Sequence, residues 1–260
     1  VSLYKIVVHG LLIFAVTLSS VSLAQSQQEQ ITIVADEWCP YNCVPGAVLP
    51  GYAIEMIRVI FAKHDIAVKY VIAPWTESIR AAKAGDHNAV LGAAKSKMPN
   101  GIFPQQELGY YSNDFIVSKN SSWRFTGVDS LQSVNLGVIR DYVYGPELDS
   151  YVWGPKNLKV QALVGENASE VNVRKVIRGE IDVYLEDGNV AFYEARIMGL
   201  DKHLKHVDSE GTKTPFYLVF SPAFVSSKKH AKTLSLGIKE LRKSGELDYI
   251  LSKYGLKDWK

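Results

Sequence analysis

The feature that most constrains this chain is an alternation of short apolar runs with segments of helical period, and it occurs twice. The runs 31–35 (ITIVA), 67–73 (AVKYVIA) and 89–93 (AVLGA) read as buried strands. Between them, GYAIEMIRVIFAKHD spaces Ile54, Ile57, Val59, Ile60 and Phe61 along one helix face, and WTESIRAAKAGD is a shorter helix closed by Gly85. Connections this short predict parallel strands joined by right-handed crossovers. The pattern restarts with strands over 134–139, 158–163 and 180–185, separated by helices near 144–152, 168–178 and 188–198. The stretch from about 92 to 120 links the two units without helical period. After Thr214, PFYLVFS is one more strand, and two helices follow, with Leu234, Ile238 and Leu241, then Leu247, Ile250 and Leu251, on their apolar faces. Those helices must pack on an earlier unit, and the first is the smaller. The expected class is α/β, with two Rossmann-like units in sequence.

The first 24 residues read as a cleavable signal peptide. Lys5 precedes an apolar run over 6–16, and Ser22-Leu23-Ala24 fits a small-x-small cleavage site. His9 and Gly10 interrupt the run, which falls short of the ~20 residues of a membrane span. Removing 1–24 takes away Lys5 and no acid, so 29 basic against 27 acidic residues becomes 28 against 27. That balance carries no electrostatic footprint for nucleic acid or an acidic membrane. The expected location is the periplasm.

The chain has two cysteines, Cys39 and Cys43, both within EWCPYNC. In an oxidising compartment the pair suggests a disulfide rather than half a metal site. Its spacing is one residue longer than the thioredoxin-like motif; a free thiol pair and a redox centre stand as alternatives. A bridge here would pin the turn that presents Trp38 and Tyr41. No Gly-x-Ser-x-Gly elbow and no Gly-rich phosphate loop occurs. His203 and His206 lack further ligands in sequence and read as solvated histidines, so no catalytic residue, metal or cofactor is expected.

Six segments in order carry a family resemblance: GYAIEMIRVIFAK, WTESIRAAKAGDHNAVLGA, ELGYYSNDFIVSKNS, DSLQSVNLGVIRDYVYGPEL, VIRGEIDVYLEDGNVAFY and LRKSGELDYILSKYG. Together they resemble the bacterial periplasmic solute-binding proteins of the polar amino acid type, receptors of ABC importers (extracellular solute-binding protein family 3). The resemblance implies the type II periplasmic-binding-protein fold: two α/β lobes joined by two crossover segments, with the ligand in the cleft between them. One lobe would be 25–114 plus 216–260, the other 115–215. The family position of the Asp that meets a ligand ammonium falls on Asp187, with a helix N-cap as its alternative role. Glu186 beside it is expected to be solvated.

On the facing side, this sequence has KSKMPNGIFP where the family has an Arg that clamps the ligand carboxylate. Asn100 stands nearest to that place. Lys95, Lys97 and Arg140 are the cations in reach by sequence, of which Lys95 and Arg140 are the candidates. Trp38, Trp75 and Tyr142 are the expected aromatic contacts, with Tyr110, Tyr111 and Tyr144 nearby.

The function these expectations describe is a monomeric, non-enzymatic receptor. It would close on a small polar, amine-bearing, amino-acid-like solute and deliver it to a membrane permease. A dehydratase-like enzyme using Asp187 or Glu107, or a soluble sensing partner of a membrane signalling protein, is the alternative.

Overall fold

A computed structural model describes residues 28–155, 158–165, 167–209, 211 and 213–260. The expected signal peptide over 1–24 lies outside the described residues. The elements run β1 (Glu29–Ala35), α1 (Tyr52–Ala62), β2 (Ile66–Ile72), α2 (Trp75–Ala84), β3 (Ala89–Leu91), β4 (Gly109–Tyr111), β5 (Asp114–Ser118) and β6 (Leu136–Ile139). They continue α3 (Pro146–Val152), β7 (Val160–Leu163), α4 (Ala168–Arg178), β8 (Val183–Glu186), α5 (Gly188–Ile197) and β9 (Leu204–Ser209). β10 (Thr214–Phe216), β11 (Leu218–Phe220), α6 (Ser227–Ser244) and α7 (Glu246–Ser252) complete the chain.

Among the described residues the strands form three sheets, ordered β11-β3-β1-β2, β10-β4 and β7-β6-β8-β5-β9. The βαβ units pair in parallel as expected: β1 with β2 and β3, and β6 with β7 and β8. The two large sheets are mixed, because each also takes in strands that no helical crossover delivers. β11 runs antiparallel to β3, and β5 runs antiparallel to both β8 and β9. The reason is where these strands begin. The chain crosses from the first sheet to the second through β4, so β5 starts at the end where β8 finishes, pairing Asp114 with Glu186. It returns through β10, so β11 starts where β3 finishes, pairing Leu218 with Leu91. A strand that enters without a helical crossover must run opposite to its neighbour. The two crossings are themselves paired, β10 with β4, through Thr214–Tyr111 and Phe216–Gly109.

The C-terminal helices dock onto the first sheet's side of the molecule. Ile54, Ile57, Ile60 and Phe61 of α1 share one buried cluster with Leu234, Ile238 and Leu241 of α6 and with Leu247 and Leu251 of α7. The 3- and 4-residue spacing along α6 puts its apolar stripe against α1. Close approach is possible because α6 carries Gly237 at the crossing; a Cβ there would lie 2.4 Å from the Ile60 side chain. No helix of the described residues is long and apolar enough to cross a membrane.

Gly51, which opens the first resemblance motif, also has a physical reason to be glycine. Its φ is 99°, and a Cβ would fall 2.3 Å from the Asn42 Cα and 2.5 Å from the Tyr41 carbonyl oxygen. The start of α1 is thus pressed against the backbone of the cysteine loop. Tyr52 N donates to Pro40 O, and Ala53 N to Tyr41 O, at 3.0 Å each. The loop and the helix form one rigid wall.

Candidate functional site

The carboxyl ends of the parallel strands in both sheets face each other, where ligands bind in open α/β folds. There the structure forms a narrow cleft. Trp38, Trp75, Tyr142 and Asp187, all expected from sequence, line it together with Tyr111 and Tyr144. Tyr110 faces a different cavity, shared with Tyr52 and the C-terminal residues.

Trp38 belongs to the cysteine loop. The Cys39 and Cys43 sulfurs lie 2.13 Å apart, at disulfide distance. Trp38 N donates to Asn42 O at 2.9 Å, which closes the loop as an isolated bridge. The Trp38 ring stacks on Tyr41 with centroids 4.2 Å apart, and both rings meet Phe216 of β10 edge-on, at 5.8 and 5.1 Å. Three rings held in this way form a stiff apolar floor.

Hydrogen bonds across the cleft join the two sheets' sides. Trp38 Nε1 donates to Glu186 Oε1 at 3.0 Å, and Tyr41 OH to Asp187 Oδ1 at 2.9 Å. Tyr142 OH donates to Asp36 Oδ2 at 2.6 Å. At the mouth, Trp75 Nε1 donates to the Asp141 carbonyl at 3.3 Å, and Thr76 Oγ1 to Asp141 Oδ2 at 2.5 Å. The lobes are therefore in contact around the cleft.

Asp187 is committed to structure more heavily than its sequence position suggested. It is the N-cap of α5: Oδ1 accepts from Asn189 N at 2.9 Å and Val190 N at 3.3 Å, besides Tyr41. Oδ2 accepts from Ser112 N at 3.0 Å. Oδ1 is thus crowded by three donors, while Oδ2 holds one.

Its neighbour Glu186 corrects the expectation of a solvated side chain. Glu186 is 2 % exposed, because it ends β8 on the cleft face instead of starting the surface helix. Oε1 accepts from Trp38 Nε1 and from Asp187 N at 2.9 Å, and Oε2 from Tyr184 OH at 2.9 Å.

Asp36 is the site residue that sequence reasoning missed. It follows β1 immediately and lines the cleft. The signal was present: an acid at the carboxyl end of the first parallel strand, next to EWCPYNC, stands where such folds bind ligands.

The expected cations are elsewhere. Lys95 is exposed and lines a neighbouring cavity with Phe103 and Tyr217. Arg140 is exposed too, with its guanidinium 6.0 Å from the centre of the Trp153 ring. Glu107 does not reach the cleft; Lys260 Nζ lies 2.9 Å from it and Trp259 Nε1 donates to it at 2.8 Å.

Burial dominates the acid–base behaviour of the cleft. It raises Asp36 to about 6, against the opposing hydrogen bond from Tyr142. It raises Glu186 to about 7, with Asp187 adding to the effect. It raises Asp187 to about 6, with Asp114 adding to it. Each group holds a proton in the folded chain at a pH where the unfolded chain has released it. Stability from these groups is therefore complete below about pH 4 and is lost as pH rises through 6–7. At the acid end, burial works against Glu107 and Asp258, but bonds from Lys260 and Arg242 outweigh it and hold both low. Their contribution disappears as pH falls below the ordinary carboxylate range. Without added solute, the melting temperature is expected to peak near pH 4 and fall by on the order of 5 °C by pH 8. A melting series in buffers of constant ionic strength checks this; a flat or rising profile over pH 5–8 contradicts it.

Solved structures share this architecture. An arginine-, lysine-, histidine-binding protein, ArtJ from Geobacillus stearothermophilus, superposes with a TM-score of 0.71 at 13 % identity, over 89 % of this chain and 97 % of that one. The fold is that of the type II periplasmic binding proteins. A histidine kinase sensor domain similar to periplasmic binding proteins gives 0.74 at 18 % identity, over 89 % and 99 % of the two chains. An ancestral amino-acid-binding protein, a precursor of cyclohexadienyl dehydratase, gives 0.67 at 17 % identity, over 86 % and 95 %. No protein-family model and no curated protein sequence matches the chain.

Proposed function

We propose that the chain is a periplasmic solute receptor that closes its two lobes on a small amine-bearing molecule and passes it to a membrane permease of the ABC type. The observation that carries this reading is the cleft itself. Carboxylates from both sheets and a stiff set of aromatic rings converge on one space between the lobes. Such a space offers charge-assisted hydrogen bonds to an ammonium group and apolar faces to its carbon skeleton. The order of sequence motifs supports the reading, as does the fold shared with amino-acid-binding proteins.

Ligand binding only to the closed, folded state raises the melting temperature by mass action. A thermal-shift screen of amino acids, amines and organic acids tests the proposal. One class of amine is expected to raise the melting temperature by several degrees at millimolar concentration. Absence of any shift, with no small molecule carried through purification, overturns it.

The sensor-domain likeness favours a second reading, in which the same closure reports a solute to a membrane signalling protein. Crosslinking in cells separates the two: capture of a permease supports the first, capture of a kinase the second. A dehydratase acting on an anionic acid is disfavoured by charge, since such a substrate would meet Asp36, Glu186 and Asp187 together.

A further inference from the structure

The cleft carries a charge pattern that the fold does not require. Asp36, Glu186 and Asp187 all face it, and among the described residues no Lys, Arg or His lines it. Lys95 opens onto another cavity and Arg140 lies against Trp153, outside the cleft. An amino acid seated here would bring its carboxylate into a desolvated space without a positive partner. Burying an unpaired anion is costly, and nearby like charges add to the cost. A cation meets the opposite conditions.

We propose, on the basis of the receptor reading above, that the cleft selects a small organic cation carrying no carboxylate, with its charged nitrogen held between Asp36 and Glu186. The two acids have complementary positions. Asp36 follows β1 of one sheet, and Glu186 ends β8 of the other. Closure brings two like charges to one cleft, so a cation between them removes the repulsion that opposes closure. Asp187 is the more committed of the two neighbours, with four donors on it, two of them the backbone of its own helix, against three on Glu186. Asp36, by contrast, takes its side-chain bond from Tyr142 alone among the bonds described above. The Trp38 and Trp75 rings supply faces for the cation's carbon atoms or for a methylated nitrogen.

The test uses pairs of probes that differ by the carboxylate alone. These are putrescine against ornithine, cadaverine against lysine, agmatine against arginine, and histamine against histidine. Isothermal titration calorimetry of the purified chain at pH 8 is expected to give, in whichever pair binds, about 100-fold tighter binding of the carboxylate-free member. Asp36→Asn and Glu186→Gln are each expected to weaken that amine at least about tenfold. An amino acid that binds as tightly as its amine overturns this inference and leaves the receptor reading standing. So does an amine whose affinity is unchanged in Asp36→Asn. If no member of any pair binds and the broader amine screen is also silent, the receptor reading itself falls, and this inference with it.

Discussion

Replacing Phe216 by alanine is expected to lower the unfolding free energy by about 3–5 kcal/mol, the usual cost of emptying a buried aromatic site. Phe216 is 1 % exposed, and three aromatic rings meet its edges or face: Trp38, Tyr41 and Tyr52, with centroids 5.8, 5.1 and 6.2 Å away. It also sits on β10, one of the two paired crossings, where its carbonyl accepts from Leu108 N at 2.9 Å. The cavity left behind cannot collapse easily. The cysteine loop is tied by its own bridge, and α1 is pressed against that loop at Gly51. The loss should therefore reach the site as well as the core, since Trp38 and Tyr41 would lose their backing. Urea denaturation checks the stability change, and tryptophan fluorescence compared with and without a Trp38→Phe replacement checks the effect on the cleft. A loss under about 1.5 kcal/mol would mean that the ring cluster repacks freely.

The second large effect is expected at Asp187. Its alanine variant leaves Ser112 N, Asn189 N and Val190 N without their acceptor, and the Tyr41 hydroxyl with the Tyr110 carbonyl at 3.3 Å in place of the carboxylate, in a site where Asp187 is 3 % exposed. Loss of the helix cap alone costs about 1 kcal/mol, and each buried donor left unpaired adds about 1–3. Water entering the vacated space recovers part of this, so the expected net loss is roughly 3 kcal/mol, which is large against the stability of an ordinary domain. Asp187→Asn keeps one acceptor oxygen for the cap and should lose roughly half as much. Denaturation of both variants, without any added solute, is the measurement. An alanine variant as stable as the parent chain would mean that Asp187 serves a ligand and not the fold.

These two residues illustrate how differently the site was encoded. Asp187 was legible from its motif, and both of its sequence readings, cleft residue and cap, describe where it lies. Phe216 gave no sign of its importance, because in PFYLVFS it is one apolar residue among several. Its role arises from a break in what reads as a single strand: β10 ends at Phe216 and β11 begins at Leu218. Glu186 was misread for a related reason. Next to an N-cap Asp, an acid looks like part of a solvated helix start, and only the end of β8 on the cleft face makes it buried.

The order of elements could be read from the chain alone. Apolar runs of strand length and helical spacing are local properties of the chain, so most strands and helices lie within a few residues of their expected bounds. The aromatic loop with its two cysteines and the Gly that opens α1 were likewise readable from short segments. The tertiary structure alone decided the sense of β5 and β11 and the sign of the cleft. Strand direction depends on the end at which the chain enters a sheet, which no window of sequence records. The cleft's charge depends on bringing Asp36 and Glu186, 150 positions apart in the chain, to the lining of one cleft, while Lys95 and Arg140 are left outside. Electrostatics acts through space, and that space is set by how the two sheets' sides meet.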